Sequence, residues 1–191
     1  MTAARGGGMT TDAARVHVWD APVRWLHWLL VTAVAIAWLT ALGLTQFHRA
    51  IGYGAVAVVL ARLAWGFVGN RHARLATFVR GPAATVRYAG EMLSGKEPRY
   101  LGHNPLGGWM VVALLACVLA LGLTGWLYTN TDRFWGDPWM EQLHTALAWL
   151  LLALGALHVA GVAFTSVRHG ENLVRAMLDG SKAAPRNGDI A

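Results

Sequence analysis

Charge and cysteine are scarce in this sequence. Only 14% of its 191 residues are Asp, Glu, Lys or Arg, well below the roughly 25% of an average soluble domain. The single cysteine, Cys117, lies inside an apolar run, which excludes an intrachain disulfide and any metal site built from several cysteines. We expect it to be a small buried thiol. We also expect no cleavable signal peptide, because no short apolar run with a small-residue cleavage site precedes the first long apolar segment.

Apolar residues make up 55% of the chain, which also contains ten tryptophans. The apolar residues are concentrated in four segments, at about residues 23–44, 48–69, 105–128 and 141–165. Each segment is long enough for a helix to cross a bilayer. The link between the first two segments, Thr45–Arg49, is so short that these helices must be antiparallel neighbours. The predicted fold class is therefore all-α: an integral membrane four-helix bundle over residues 21–168, with a flexible segment 1–20 before it and a tail 169–191 after it.

The distribution of basic residues predicts the orientation of this bundle. The N-terminal segment, the polar segment 70–104 and the tail together hold thirteen Lys and Arg residues, whereas the two opposite links hold only Arg49 and Arg133. Cytoplasmic loops carry the excess of basic residues, so both termini should be cytoplasmic. The net charge of +6 then reports topology, and no nucleic-acid partner is expected. Within residues 70–104, Pro82 could start and Gly95 could end an amphipathic helix on the membrane surface.

Four of the eight histidines fall inside the apolar segments, at two matched depths. His144 and His158 are fourteen residues apart, so on a helix they leave nearly the same face and stand about 21 Å apart. In the predicted topology His48 and His144 lie at the same depth, toward the outer side of the membrane. His27 and His158 likewise lie at the same depth, toward the cytoplasmic side. No Asp, Glu or Cys accompanies either pair, which disfavours zinc. Two facing imidazoles match the axial ligation of a haem iron, with hydrogen-bonded packing histidines as the alternative.

Other residues are candidates for contacts with such a cofactor. Arg24, Arg49 and Arg62 could pair with haem propionates. Snorkelling to the interface explains Arg24 and Arg49 equally well, whereas Arg62, deeper in its helix, needs an anionic partner more. His103 could cap the third helix or contact a propionate or quinone, and a structural role is favoured. Several small residues could make room for a flat macrocycle or simply allow close helix packing, namely Gly52, Gly54, Gly108, Gly122, Gly155 and Gly161.

Four stretches also carry a resemblance to a known family. They are VWDAPVRWLHW, HRAIGYGAVAVVLARLAWGF, GHNPLGGWM and the H-x13-H spacing of the fourth segment. Over about Val18–Gly180 the chain resembles the bacterial cytochrome b561 family, which includes the b-type cytochrome subunits of nickel–iron hydrogenases. The resemblance implies a multi-pass protein of the bacterial inner membrane with two b haems, whose axial ligands would be His27, His48, His144 and His158. It also implies electron exchange with quinone.

Three functions remain open at this point. The first is a transmembrane electron carrier between the quinone pool and a periplasmic cytochrome or redox enzyme. A hydrogenase would be such an enzyme, although the short first link favours a compact, stand-alone member of the family. The second is an enzyme similar to those that oxidise superoxide and reduce quinone; the net acidic outer link, with Asp132, Asp137 and Glu141 against Arg133, argues mildly against an anionic substrate. The third is a membrane anchor or transporter without haem.

Overall fold

The computed structural model describes residues 15–190, and most of them are helical. Four of the helices, α1, α2, α5 and α6, are long and apolar enough to cross a membrane, which confirms the predicted four-helix membrane bundle. In chain order the described residues form β1 (Arg15–His17), α1 (Ala21–Thr40), α2 (Thr45–Val68), α3 (Leu75–Phe78), α4 (Pro82–Leu93), α5 (Pro105–Asn130), α6 (Pro138–His169), α7 (Leu173–Asp179) and β2 (Ser181–Ala183).

Three of the four spans begin with a polar side chain that caps the helix. Asp20 accepts a hydrogen bond from the backbone N–H of Val23 at the start of α1. Asn104 does the same at the start of α5, and Asp137 at the start of α6. A proline occupies the first or second helical position of all three, where its fixed φ favours the helix and no N–H is needed. These caps fix where each span starts, and the cap of α5 is Asn104 rather than His103.

The spans pack in chain order, with α1 against α2, α2 against α5, and α5 against α6. Their shared core contains small and branched apolar side chains, among them Ala55, Val59, Val118 and Leu151. Cys117 is buried in the same core, as predicted. Many large apolar side chains remain exposed on the outside of the bundle, as required of a surface that faces lipid.

The ends of the spans differ from the predicted ones by a few residues. Thr45–Arg49, expected to be a link, forms the first turn of α2, and the link itself is the four residues 41–44. The last span continues to His169, where Gly170 adopts the left-handed conformation that ends it. A 32-residue helix is about 48 Å long, so α6 extends well beyond the roughly 30 Å hydrocarbon core of a bilayer. The predicted surface helix is present as α4 and starts at Pro82.

Both ends of the described chain fold back onto one side of the bundle. The expected flexible segment lies outside the described residues up to residue 14. Its remainder is ordered, because β1 pairs antiparallel with β2 and Asp20 caps α1. The tail is likewise ordered, since α7 and β2 follow α6. Buried Arg99 fastens the tail by ion pairs with Glu171 and Asp189.

Candidate cofactor-binding site

The structure brings the four intramembrane histidines together as two pairs. His48 of α2 and His144 of α6 have ring centres 6.1 Å apart. His27 of α1 and His158 of α6 have ring centres 6.4 Å apart. These are the partners expected from matched depth along antiparallel spans. A metal–imidazole bond of about 2.0–2.1 Å on each side, with roughly 1.1 Å from nitrogen to ring centre, places two axial imidazoles about 6.3 Å apart. Both observed separations fit that arrangement.

Hydrogen bonds hold the two outer rings. His48 donates from Nδ1 to the carbonyl oxygen of Ala37, at 2.9 Å, since a carbonyl oxygen can only accept. Nδ1 of His144 lies 2.9 Å from Oγ1 of Thr124, and that hydroxyl donates to the carbonyl of Ala120. With its proton at Nδ1, each ring keeps the lone pair of Nε2 for a metal. Such partners fix the tautomer and orientation of histidine ligands.

An apolar cavity of about 240 Å³ lies beside the outer pair. His48, His144, Gly52 and Gly122 line it, and Arg49 lies at its exposed rim. A Cβ atom at Gly122 would collide with Val56, so this glycine allows α5 to approach α2. The remaining wall is mostly apolar side chains, including Val34, Trp38, Val118, Leu121, Trp149 and Leu151. The lining suits the flat, apolar face of a porphyrin.

Two further residues of this site were missed by the sequence reasoning. Gly125 also lines the cavity, and a Cβ atom there would stand 3.3 Å from Cε1 of the His144 ring. Thr124, its neighbour, supplies the hydroxyl at Nδ1 of that ring. Gly125 lies three residues after Gly122 and thus on nearly the same face of α5, a spacing that was available in the sequence. Gly108, by contrast, packs against the backbone carbonyl of Phe78, away from the outer cavity.

Two of the arginines predicted to contact a cofactor, Arg24 and Arg62, each have a buried polar atom without a partner in the described part of the chain. Arg24 donates from Nη1 to the carbonyl of Leu178, while its buried Nε has no hydrogen-bond partner. Arg62 is 8% exposed and donates from Nη2 to the carbonyl of Ala73 at 3.1 Å. Its buried Nη1 is unpartnered. Unsatisfied buried donors of this kind are costly, so both arginines have capacity for an acceptor such as a carboxylate.

His103 lies between two aromatic rings next to this region. Its ring centre is 4.7 Å from that of Trp19 and 4.5 Å from that of Phe78. Burial, and next the positive charge of Arg62, lower the pKa of His103 to about 3, so its imidazole is neutral at physiological pH. Nδ1 of His103 is buried without a hydrogen-bond partner. The predicted capping role is therefore wrong, because Asn104 accepts the hydrogen bond from Gly107 at the helix start.

Comparison with known proteins identifies related sequences. A profile of the family described as prokaryotic cytochrome b561 matches residues 18–180, the range over which the resemblance was recognised. A probable Ni/Fe-hydrogenase B-type cytochrome subunit of Rhodobacter capsulatus is 26% identical, over 87% of this chain and 81% of that protein. A protein of the same description from Bradyrhizobium diazoefficiens is 23% identical, over 87% and 85%. No solved structure matches the chain.

Over the aligned region this chain is shorter than these relatives. Its alignment with the Rhodobacter capsulatus protein runs over 214 positions but includes 87% of this chain, which is about 166 of its 191 residues. The remaining 48 or so aligned positions of that relative have no counterpart here.

Proposed function

Because the chain belongs to the prokaryotic cytochrome b561 family, we propose that it is a transmembrane electron-transfer cytochrome with two b haems, one in each histidine pair. It would exchange electrons between the quinone pool and a redox partner on the periplasmic side of the bacterial inner membrane. The observation that supports this most strongly is the presence of two imidazole pairs, with ring centres 6.1 Å and 6.4 Å apart, at two levels of one apolar bundle.

The protein's own groups would bind and insulate the cofactors. Haem, when bound, supplies one-electron transfer. His48 and His144 would hold one haem at the outer level, and His27 and His158 would hold the other at the inner level. Because two protein side chains would hold each haem iron, the cofactor would serve electron transfer rather than bond chemistry on a small molecule. Fourteen residues of α6 set the two levels about 21 Å apart, across most of the bilayer core.

Two kinds of redox partner are candidates. The relatives named as hydrogenase cytochrome subunits favour a hydrogenase or a similar enzyme as the partner. The four-residue link between α1 and α2 and the shorter chain limit the outer surface that can contact such an enzyme. Arg49 at the rim of the outer cavity favours a second candidate, oxidation of a small anion such as superoxide with reduction of quinone. Asp137 is one of the acidic residues of the outer link that argue against an anionic substrate, but its carboxylate accepts hydrogen bonds at the start of α6.

The primary test is a reduced-minus-oxidised spectrum of the purified protein, with a pyridine haemochrome measurement of haem per chain. We expect two low-spin b haems and no carbon monoxide shift. His158→Ala should remove the same haem as His27→Ala, and His144→Ala should remove the same haem as His48→Ala. If the two alanine variants of one histidine pair lose different haems, the proposed pairing is refuted. A haem-free protein would instead support the membrane anchor or transporter.

The two candidate partners are separated by a second assay on the haem-loaded protein in quinone-containing vesicles. Superoxide generated outside the vesicles should reduce the haems and then the quinone if the enzymatic candidate is correct. If superoxide leaves the haems oxidised while a purified periplasmic hydrogenase from the same cells, supplied with hydrogen gas as the reductant, reduces them, the carrier assignment with a hydrogenase partner is supported. Arg49→Gln should slow the superoxide reaction only in the first case, because the arginine then attracts the anion.

A further inference from the structure

The short helix α7 of the tail packs against the start of α1, at the end of the bundle nearer the inner histidine pair. Ala176 of α7 is buried in one cluster with Val18 and Val23, and Met177 packs against that cluster. Val23 lies one turn before His27, so the two side chains are neighbours on one face of α1. Helix α7 therefore covers the end of the inner site that points away from the outer pair.

Two side chains of α1 donate hydrogen bonds to backbone carbonyls at the end of α7. The indole Nε1 of Trp28 donates to the carbonyl of Met177 at 3.3 Å, and Nη1 of Arg24 donates to the carbonyl of Leu178. The last carbonyls of a helix have no partner within the helix, so these contacts satisfy groups that α7 cannot satisfy by itself. The tail is thus bonded to α1 on both sides of His27 in the sequence.

Trp28 also contacts the inner histidine pair. Its ring stands edge-on to the ring of His27, with centres 5.1 Å apart and planes at 78°. The ring of His27 in turn faces that of His158. Hydrogen bonds orient the two outer rings, whereas neither inner ring has a hydrogen-bond partner among the residues that the structure describes. The edge of the Trp28 indole is therefore a contact that can fix the orientation of His27.

The rest of the tail is held at a separate place. Glu171, just before α7, pairs with Arg99 and with Lys182, and Asp189 pairs with Arg99. These ion pairs join the tail to the segment before α5, not to α1. Of the two attachments of the tail, the contact through Trp28 is thus the one that reaches the histidines.

We propose that Trp28 is a positioning residue that couples the tail to the inner histidine pair, with α7 as the cover of the inner cofactor site. This coupling rests on the proposed function, since it concerns a haem held by His27 and His158. The seated helix excludes water from that end of the site and keeps the indole against the His27 ring. When α7 is released, water reaches the site and the indole loses the carbonyl that holds it.

The first experiment compares Trp28→Phe with Trp25→Phe in the full-length, haem-loaded protein. Trp28→Phe keeps an aromatic ring beside His27 but removes the N–H that bonds to α7, whereas Trp25 is 70% exposed on the same helix. Redox titration measures both midpoint potentials, and the inner haem is the one that His158→Ala lacks. Deuterium uptake of residues 173–180, followed by mass spectrometry, measures the seating of α7.

We expect Trp28→Phe to lower the midpoint potential of the inner haem and to leave that of the outer haem unchanged. Water stabilises the more positively charged oxidised iron, so a less buried haem has a lower potential. Exchange in α7 should be about two- to tenfold faster, as the loss of one hydrogen bond predicts. Trp25→Phe should match the wild type in both measurements.

The second experiment uses the reciprocity of coupled sites and leaves Trp28 and the tail unchanged. If a seated α7 favours the inner haem, loss of that haem must loosen α7. His158→Ala should therefore speed exchange in residues 173–180, and His144→Ala, which lacks the outer haem instead, should not. This comparison remains valid if Trp28→Phe does not fold.

The outcomes separate the coupling from the proposed function. A wild type that binds no haem overturns both. In a di-haem protein, the coupling alone is overturned if Trp28→Phe behaves like Trp25→Phe in either measurement. It is also overturned if His158→Ala and His144→Ala give equal exchange in α7, because the tail would then be insensitive to which site is filled.

Discussion

At the residue scale, the hydroxyl of Thr124 determines how His144 is oriented. It lies 2.9 Å from Nδ1 of the ring and is itself fixed by donating to the carbonyl of Ala120. Partners of this kind typically change the metal affinity of a histidine site by about 10–100-fold when they are removed. We therefore predict that Thr124→Val, which keeps the shape of the side chain, weakens outer-haem binding by about 10–100-fold. Haem titration of the apoprotein measures this.

Thr129→Val is the matched control for that experiment. Thr129 lies on the same helix and donates to the carbonyl of Gly125 at 2.8 Å, so the substitution also removes a hydroxyl that bonds to the backbone. Its effect on haem affinity should be small because no histidine nitrogen is its partner. Equal loss of affinity in both variants would refute the specific role of Thr124.

The pairing of the four histidines could be predicted from the sequence, whereas the contact of Thr124 with His144 could not. His144 and His158 repeat on one face of one helix, and topology assigns His48 and His27 to their levels; these are patterns along the chain. The contact of Thr124 with His144 joins two different helices. It depends on their relative rotation, which hydrophobic periodicity does not specify when a span is apolar all round.

At the element scale, Asp20 joins the start of α1 to the end of α2. One carboxylate oxygen caps α1 through the N–H of Val23. The other accepts from the indole of Trp65 at 2.9 Å. Losing an N-cap costs about 1 kcal/mol, and a hydrogen bond to a charged group contributes about 1.5–3 kcal/mol. We predict that Asp20→Ala lowers the free energy of unfolding by about 2–4 kcal/mol, measured by denaturant titration in detergent.

Asp137→Ala provides the comparison, because Asp137 caps α6 through the N–H groups of Trp139 and Met140. It should cost about 1 kcal/mol, as expected for a cap alone. The loss of unfolding free energy in Trp65→Phe should equal the difference between the losses in Asp20→Ala and Asp137→Ala. If Asp20→Ala and Asp137→Ala are equally destabilising, the bond between Asp20 and Trp65 does not contribute. The Asp-x-Pro and Asp-Pro starts of these helices are readable in the sequence, but the bond across 45 residues is not.

The tail is the element on which sequence and structure differ most. It was expected to be a simple cytoplasmic extension, yet it forms α7 and β2 and returns to the segment before α5. The reason is a cluster of buried charges. Arg99 bonds to Glu171 and Asp189, while Lys182 pairs with Glu171 at 3.2 Å. These residues are up to 90 positions apart in the sequence. Each one, considered alone, would therefore be predicted to be a solvated charge.

This cluster predicts that the tail is released by acid. Burial raises the pKa of Glu171, but the hydrogen bond from Arg99 and the charge of Lys182 outweigh it, so the pKa lies below its usual 4.5. The pKa of Asp189 is likewise below its usual 3.8, because bonds from the Arg186 backbone and Arg99 outweigh burial. Lowered carboxylate pKa values stabilise the fold above the unfolded-state values, and this stabilisation is lost as the pH falls through the folded-state values.

Hydrogen exchange of residues 181–190, corrected for intrinsic rates, checks this prediction. Protection should be constant from pH 7 to about pH 5 and should fall once the pH drops below about 4. Glu171→Gln should release the tail at pH 7, since it leaves Arg99 and Lys182 without that carboxylate. Arg87→Gln, which breaks an exposed pair with Glu91, should leave tail exchange unchanged. Protection that persists in Glu171→Gln would show that the strand pairing of β1 and β2 is sufficient.

At the scale of the whole molecule, the direction of the bundle in the membrane assigns a side to each histidine pair. Four spans place β1 and the tail on one side, and thirteen of the fifteen Lys and Arg residues that lie outside the spans or near their ends are predicted to be there. The positive-inside rule predicts that this side is cytoplasmic. The His48–His144 pair would then lie toward the periplasm and the His27–His158 pair toward the cytoplasm, so any external donor would meet the outer pair first.

Cysteine labelling of spheroplasts tests this orientation, and the chain is well suited to it because Cys117, its one cysteine, is buried in the core. Asp132→Cys lies between α5 and α6, and Ser94→Cys follows α4 on the opposite side. We predict that a membrane-impermeant maleimide labels the cysteine at position 132 in spheroplasts and the one at position 94 only after permeabilisation. The reverse pattern would place the polar segment 70–104 and the tail outside the cell. The acidic link and the outer histidine pair would then face the cytoplasm, and a periplasmic partner would have to exchange electrons with His27 and His158.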